Sequence, residues 1–215
     1  MTAARRIAVV SAGLSNPSST RMLADRMTAA VVAELSARGF QVDVDVVELR
    51  DHAHAITDNL LTGFAPPALE SVVNTVVSAD AIIAVTPIFS TSYSGLFKSF
   101  IDVIDPDALR GTPVLIGANA GTARHSLAID YAIRPLFTYL HADPVPTGVF
   151  AASSDWGGSA DDVAPLSARI DRGAREFAEA IERRPAAVTS DPFDPAGYLG
   201  EGRSFGHLLG GLAGE

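Results

Sequence analysis

Residues 81–102, AIIAVTPIFSTSYSGLFKSFID, pass from an unbroken apolar run through a cluster of hydroxyls into a second apolar segment. Residues 81–85 are short, apolar and uncharged, the pattern of a strand buried on both faces. From Ser94 the apolar residues recur at helical spacing, which predicts a helix over 94–104. Between the two lie Thr86, Ser90, Thr91, Ser92, Tyr93 and Ser94, with no charge before Lys98. A loop at the end of a core strand with many hydrogen-bonding groups and little charge suits a flat, polar, uncharged ring system.

Outward from this stretch, strand-like and helix-like segments alternate. Towards the N-terminus there is a strand at 7–12, a helix at about 19–38 closed by Gly39, and VDVDVVEL at 42–49, whose alternation suggests a half-buried strand near a sheet edge. A loop with Gly63, Pro66 and Pro67 leads to a helix at 68–78. Towards the C-terminus follow a strand at 113–118, the loop 119–123, a helix at 124–140, a strand at 145–150 and a helix at 161–183. Strands alternating with helices imply an α/β fold with helices on both faces of a parallel sheet. The expected form is a flavodoxin-like, doubly wound, five-stranded parallel sheet of order 2-1-3-4-5, whose ligand crevice opens at the carboxyl ends of strands 1 and 3. The domain is expected to span 1–184. The Pro-, Gly- and Asp-rich residues 185–215 read as a mobile C-terminal extension.

Composition narrows the function. The 215 residues are 47% hydrophobic and 19% charged, as expected of one well-buried domain. A net charge of −9 opposes nucleic acid as a partner, because every phosphate contact must overcome the overall repulsion. No run approaches the ~18 apolar residues of a membrane span. MTAARRIAVV runs straight into a strand with no cleavage signature, so a cytoplasmic location is expected. There is no cysteine, so redox chemistry would need an organic cofactor to carry the electrons.

The loop after the first strand, SAGLSNPSSTRMLAD (11–25), places Ser11, Ser15, Ser18, Ser19 and Thr20 where a helix begins. A helix N-terminus offers unpaired N–H groups and a partial positive charge, and hydroxyls on its first turn add charge-assisted hydrogen bonds to a phosphate. Capping would need only one of these hydroxyls. The loop has neither G-x-G-x-x-G nor a Walker pattern, and Gly13 is its single glycine. It therefore suits a terminal monophosphate, and a monophosphate with a flat ring across the crevice describes FMN.

SNPSSTRMLA (15–24), TPIFSTSYSGLFKSFID (86–102) and GTARHSLAIDYAIRPLF (121–137) resemble the NAD(P)H-dependent FMN reductases, especially the sulfonate-utilisation and related actinobacterial branches. The resemblance covers about residues 6–151. It implies that Ser11, Ser18, Ser19 and Thr20 hold the FMN phosphate. It also implies that Thr86, Pro87, Ile88 and Phe89 run along the isoalloxazine edge, and that Asn119, Gly121 and Thr122 approach the ring. Ala120 stands where the family commonly has the first glycine of a Gly-Gly pair, and Ser90 where many members have lysine. The implied activity is hydride transfer from NAD(P)H to FMN, with reduced flavin passed to a flavin-dependent monooxygenase. Two alternatives are a quinone or metal-ion reductase with bound FMN, and a flavodoxin-type electron carrier. The first loop lacks the carrier's T-x-T-G-x-T.

In segment 124–140, Ser126, Asp130, Arg134 and Thr138 form one narrow polar stripe and nearly everything else after His125 is apolar. A helix apolar almost all round must be buried on more than one side. Here that means a homo-oligomer, a dimer or tetramer. Pro135 has no N–H for the carbonyl of Tyr131, which predicts a bulge or kink, and the resemblance places a π-bulge at a tetramer interface at this point. His52 and His54 read as a solvated pair. His125 begins this helix beside the ring loop, where it either touches the nicotinamide or ends the loop. Trp156 reads as a packing residue.

Overall fold

The computed structural model describes residues 4–156 and 165–184; the extension expected at 185–215 lies outside the described residues. The sheet follows the expected path, with one difference at each side of its carboxyl half. Strands β1 (Ala4–Ser11), β2 (Gln41–Glu48), β3 (Ala81–Phe89) and β5 (Pro113–Ala120) lie parallel in the order β2-β1-β3-β5. The sheet has seven strands rather than five. β3 continues past Val85 and folds back as a hairpin onto the two-residue β4 (Ser92–Tyr93). The expected fifth strand is two pieces, β6 (Asp143–Pro144) and β7 (Val149–Ala152), both parallel to β5.

The split has a local cause. Val114 pairs with Pro144 and Gly117 with Val149, so two residues of β5 face four of the edge strand. Pro146 cannot donate to the ladder, and the surplus residues bulge away from it. Arg134 takes the carbonyls of Val145 and Pro146 (2.7 and 2.8 Å), and Glu176 accepts the N–H of Thr147 (2.7 Å).

Helices cover both faces. α1 (Ser19–Ala37) and α6 (Leu166–Arg183) pack Leu23, Met27, Val31, Phe177 and Ile181 against Ile7, Val9, Ile83 and Leu115. On the other face α2 (Ala53–Thr62), α3 (Pro67–Val77), α4 (Gly95–Asp102) and α5 (Arg134–Tyr139) bring Ile56, Leu69, Val76, Phe97, Phe100 and Phe137 against Ala8, Val10, Ile82 and Ala84. Helix α2 is not among the elements expected from the sequence. It is one buried residue deep, at Ile56, and stops at Gly63 (φ 76°), so its apolar periodicity is short. Among the described residues no single helix is long and apolar enough to cross a membrane.

The segment expected as one helix over 124–140 is three pieces: a 3-10 turn Ala123–His125, a π-helical turn Ile129–Ile133 and then α5. The Arg134 N–H bonds to the carbonyl of Ile129, five residues back, which is the π register. Gly148 lets this turn sit close to the sheet, since a Cβ there would lie 2.5 Å from Ile129 Cγ2.

Candidate active site

Three loops meet at the carboxyl ends of β1, β3 and β5. The first begins at Ala12, whose N–H bonds to the carbonyl of Val85 (2.9 Å), and ends at Ser18, the N-cap of α1. Ser18 is buried and its Oγ accepts the N–H of Arg21 (3.2 Å). Thr20 is buried and its hydroxyl bonds to Asn119 Oδ1 (2.8 Å), tying the first turn of α1 to the end of β5. Ser19 is exposed. Ser11 is buried at the last position of β1, and its Oγ has no hydrogen-bond partner.

A buried hydroxyl without a partner costs free energy unless a ligand completes it. Gly13 bears on the same point. A Cβ there would lie 2.0 Å from Ser18 Oγ and 3.1 Å from the Cβ atoms of Ser18 and Thr20, so only glycine lets the backbone lie this close to the helix N-terminus. Together with the first N–H groups of α1, this hydroxyl-lined cradle fits a phosphate monoester.

The cations beside the cradle are already engaged. Arg21 is bound to Asp25 and Glu48, and the hydrogen bond it donates to Asp25 is the main cause of its raised pKa. Arg50 donates to the carbonyl of Ser15 (3.2 Å) and lies within 3.6 Å of Glu48 and 3.4 Å of Asp51. Arg50 is not among the residues that the sequence singles out. Its signal is position: two residues beyond β2, it reaches the loop that follows the neighbouring β1.

The second loop is the β3–β4 hairpin. Ser90 (φ 47°) and Thr91 (φ 70°) both have left-handed backbone, as a two-residue hairpin turn of the primed type requires. Neither is glycine or asparagine, and for β-branched Thr91 this conformation is strained. Two of the six hydroxyls noted in the sequence are used internally. Buried Thr86 accepts the N–H of Ser94 (3.1 Å) and donates to the carbonyl of Pro87 (3.1 Å), while Ser94 Oγ caps α4 at Phe97 N–H (3.1 Å). Pro87 and Ile88 are buried, and Phe89 is 48% exposed at the hairpin's edge. Tyr93, Phe97 and Phe137 form a contiguous ring series (centroids 6.0 and 6.2 Å apart) that supports the hairpin from below.

The third loop leaves β5. Asn119 and Ala120 are still in the strand and half-buried, while Gly121 and Thr122 are exposed beyond it. Asn119 pairs in register with Pro87, which brings the second and third loops side by side. His125 follows half-buried. The structure therefore gathers all eleven residues implicated by the sequence at one edge of the sheet. Ser11, Ser18, Thr20 and Asn119 lie beside the start of α1, and Phe89, Gly121 and Thr122 on the exposed side. Trp156, at the end of the turn after β7, is stacked by Arg26 at 4.7 Å.

Comparison with known proteins gives the same reading. A family model described as NADPH-dependent FMN reductase matches residues 5–157. The chain is 38% identical over 178 residues to an FMN reductase (NADPH) of Pseudomonas aeruginosa, covering 83% of this chain and 93% of that one. It is 37% identical over 164 residues to an NADH-dependent FMN reductase, SfnE, of Pseudomonas putida, covering 76% and 86%. A solved oxidoreductase from Corynebacterium diphtheriae superposes with a TM-score of 0.80 at 44% identity, covering 84% of this chain and 98% of that one. The family model over most of the chain and relatives of this similarity lead to one conclusion: the chain belongs to the NADPH-dependent FMN reductase family.

Proposed function

We propose that this NAD(P)H-dependent FMN reductase binds flavin reversibly and releases it, reduced, to a flavin-dependent monooxygenase in the cytoplasm. The single observation that carries the flavin site is the Gly13 cradle with the unpartnered Ser11 hydroxyl. Ser11, Ser18 and Ser19, with the first amides of α1, hold the phosphate, and Thr20 joins them by turning its hydroxyl proton from Asn119 to the phosphate. Thr86, Pro87, Ile88 and Phe89 set one edge of the ring, and Asn119, Gly121 and Thr122 the other. When bound, FMN supplies a hydride acceptor at N5 for the nicotinamide C4. The chain's own task is alignment, and no side chain has to move a proton. Release is favoured because the hairpin edge, Phe89 included, is exposed, unlike the two-sided aromatic clamp of a permanent flavin carrier.

Steady-state oxidation of NADPH and NADH with FMN, FAD, riboflavin and a quinone compared side by side tests the reading. The expected result is turnover that rises with free FMN, and loss of flavin on gel filtration at low concentration. Retained flavin without nicotinamide turnover would establish a carrier instead, and a quinone preferred over free FMN would establish a quinone reductase.

We also place a second copy of the chain on the face formed by Leu127, Tyr131, Pro135 and Tyr139. Three of these are large and strongly exposed (62, 80 and 73%), and they recur every four residues along the π-turn and α5. Light scattering should give a dimer or tetramer, and Tyr131→Ala should shift it towards smaller species, since an aromatic at such a contact buries roughly 150–250 Å². A wild-type monomer at micromolar concentration would exclude this interface.

A further inference from the structure

We propose that Arg124 binds a phosphate group of the incoming nicotinamide dinucleotide, a role that rests on the reductase reading above. The 3-10 turn Ala123–His125 comes directly off the end of β5, beside the expected ring loop, and Arg124 is exposed on it. The other cations of the crevice loops and their neighbours are neutralised: Arg21 by Asp25 and Glu48, Arg50 by Glu48 and Asp51, and Lys98 by Asp102. Arg134 is closed off by Asp130 and two carbonyls. Arg124 has no ionic or hydrogen-bonded partner among the described residues, whereas Arg26 lies against the Trp156 ring, so Arg124 is a cation that this edge of the sheet keeps available.

The chain's charge favours such a cation. A dinucleotide carrying a pyrophosphate, and in NADPH a further 2′-phosphate, approaches a protein with a formal charge of −9. The FMN cradle draws on hydroxyls and backbone amides and supplies no cation to this second anion. A guanidinium meets a phosphate with two parallel N–H donors, which gives geometry as well as charge. The two similar reductases named above are NADPH- and NADH-dependent respectively, so the choice between these substrates varies among relatives.

The test uses the FMN-loaded wild type, Arg124→Ala and Arg124→Lys. NADP⁺ and NAD⁺ are titrated by calorimetry, and KM is measured for NADPH and NADH. Arg124→Ala should weaken NADP⁺ binding by roughly tenfold, as expected for an exposed charge-assisted contact. The KM for NADPH should rise in parallel with kcat unchanged, and Arg124→Lys should recover part of the loss. Loss confined to NADP⁺ assigns the contact to the 2′-phosphate, and equal loss for both assigns it to the pyrophosphate. Affinities for both dinucleotides within about twofold of wild type, or a loss of FMN rather than dinucleotide binding, would overturn the proposal. A wild type that oxidises neither nucleotide with FMN present would instead refute the reductase reading, independently of the variants.

Discussion

At the amino end of the sheet Arg5 and Asp80 are both buried and face each other at 3.6 Å, while at the carboxyl end Ser11 is equally buried and its hydroxyl has no partner. Arg5 also donates to the carbonyl of Arg184 (2.9 Å) and lies against the Phe40 ring, and Asp80 accepts the Arg6 N–H (2.8 Å). Arg5 Nε and Nη1 make no hydrogen bond, but the guanidinium's charge is met by the Asp80 carboxylate, and these contacts tie the start of β1, the approach to β3 and the end of α6 together. At the second end the groups are arranged but left incomplete. One end ties elements together, and the other is where we propose that the flavin binds.

If the two ends are separate, changes at each should move different observables. The largest effect is expected at the amino end. Asp80→Ala leaves Arg5 buried without its carboxylate, and breaking a buried ion pair costs about 3–5 kcal/mol. The urea midpoint should fall accordingly, while FMN affinity of the folded fraction stays at the wild-type value. A parallel loss of FMN affinity would break the separation.

Ser18→Ala combined with Thr20→Ala should have a smaller effect, felt mainly in binding. FMN affinity should fall by roughly ten- to a hundredfold, taking each charge-assisted hydrogen bond at about 1.5–3 kcal/mol less its replacement by water. Riboflavin, with no phosphate, should be little affected in the same fluorescence titration. Equal loss for both flavins would remove the phosphate from this loop. Loss of the α1 cap should lower stability by only about 1 kcal/mol.

The smallest effect is expected at Lys98, whose ammonium is closed onto Asp102 one helical turn away at 2.6 Å. Lys98→Met should change stability by less than about 0.5 kcal/mol, since exposed i,i+4 pairs contribute little. It should leave FMN binding unchanged, although α4 leads out of the ring hairpin. A large loss of FMN would mean that this cation reaches the flavin and that the carboxyl end uses charge where we assign none.

Most of the fold was legible because the period of apolar residues changes visibly between strands and helices, and because Gly39, Gly63 and the prolines mark the breaks. The bulge near Pro135 was legible for a similar reason: a missing N–H is a fact of sequence. What was not legible depends on distant pairing. Nothing local says that Thr20 will spend its hydroxyl on Asn119, ninety-nine positions away, or that Arg50 will reach Ser15. The cluster of hydroxyls in 86–94 pointed to a polar ring site, yet Thr86 and Ser94 serve the hairpin's own backbone, so composition alone overstated how many face a ligand. The splitting of the fifth strand was hidden because it depends on a register against β5 that only the assembled sheet defines.

The same interruption between β6 and β7 has a consequence for solubility. This is an outer edge of the sheet, and an outer edge with a free row of N–H and C=O groups invites strands from other molecules to add on. Here β6 is two residues long, Pro144 and Pro146 cannot donate, Arg134 occupies two carbonyls and Glu176 an amide. This edge of the sheet therefore offers no continuous ladder to extend, and another chain cannot add to it strand upon strand.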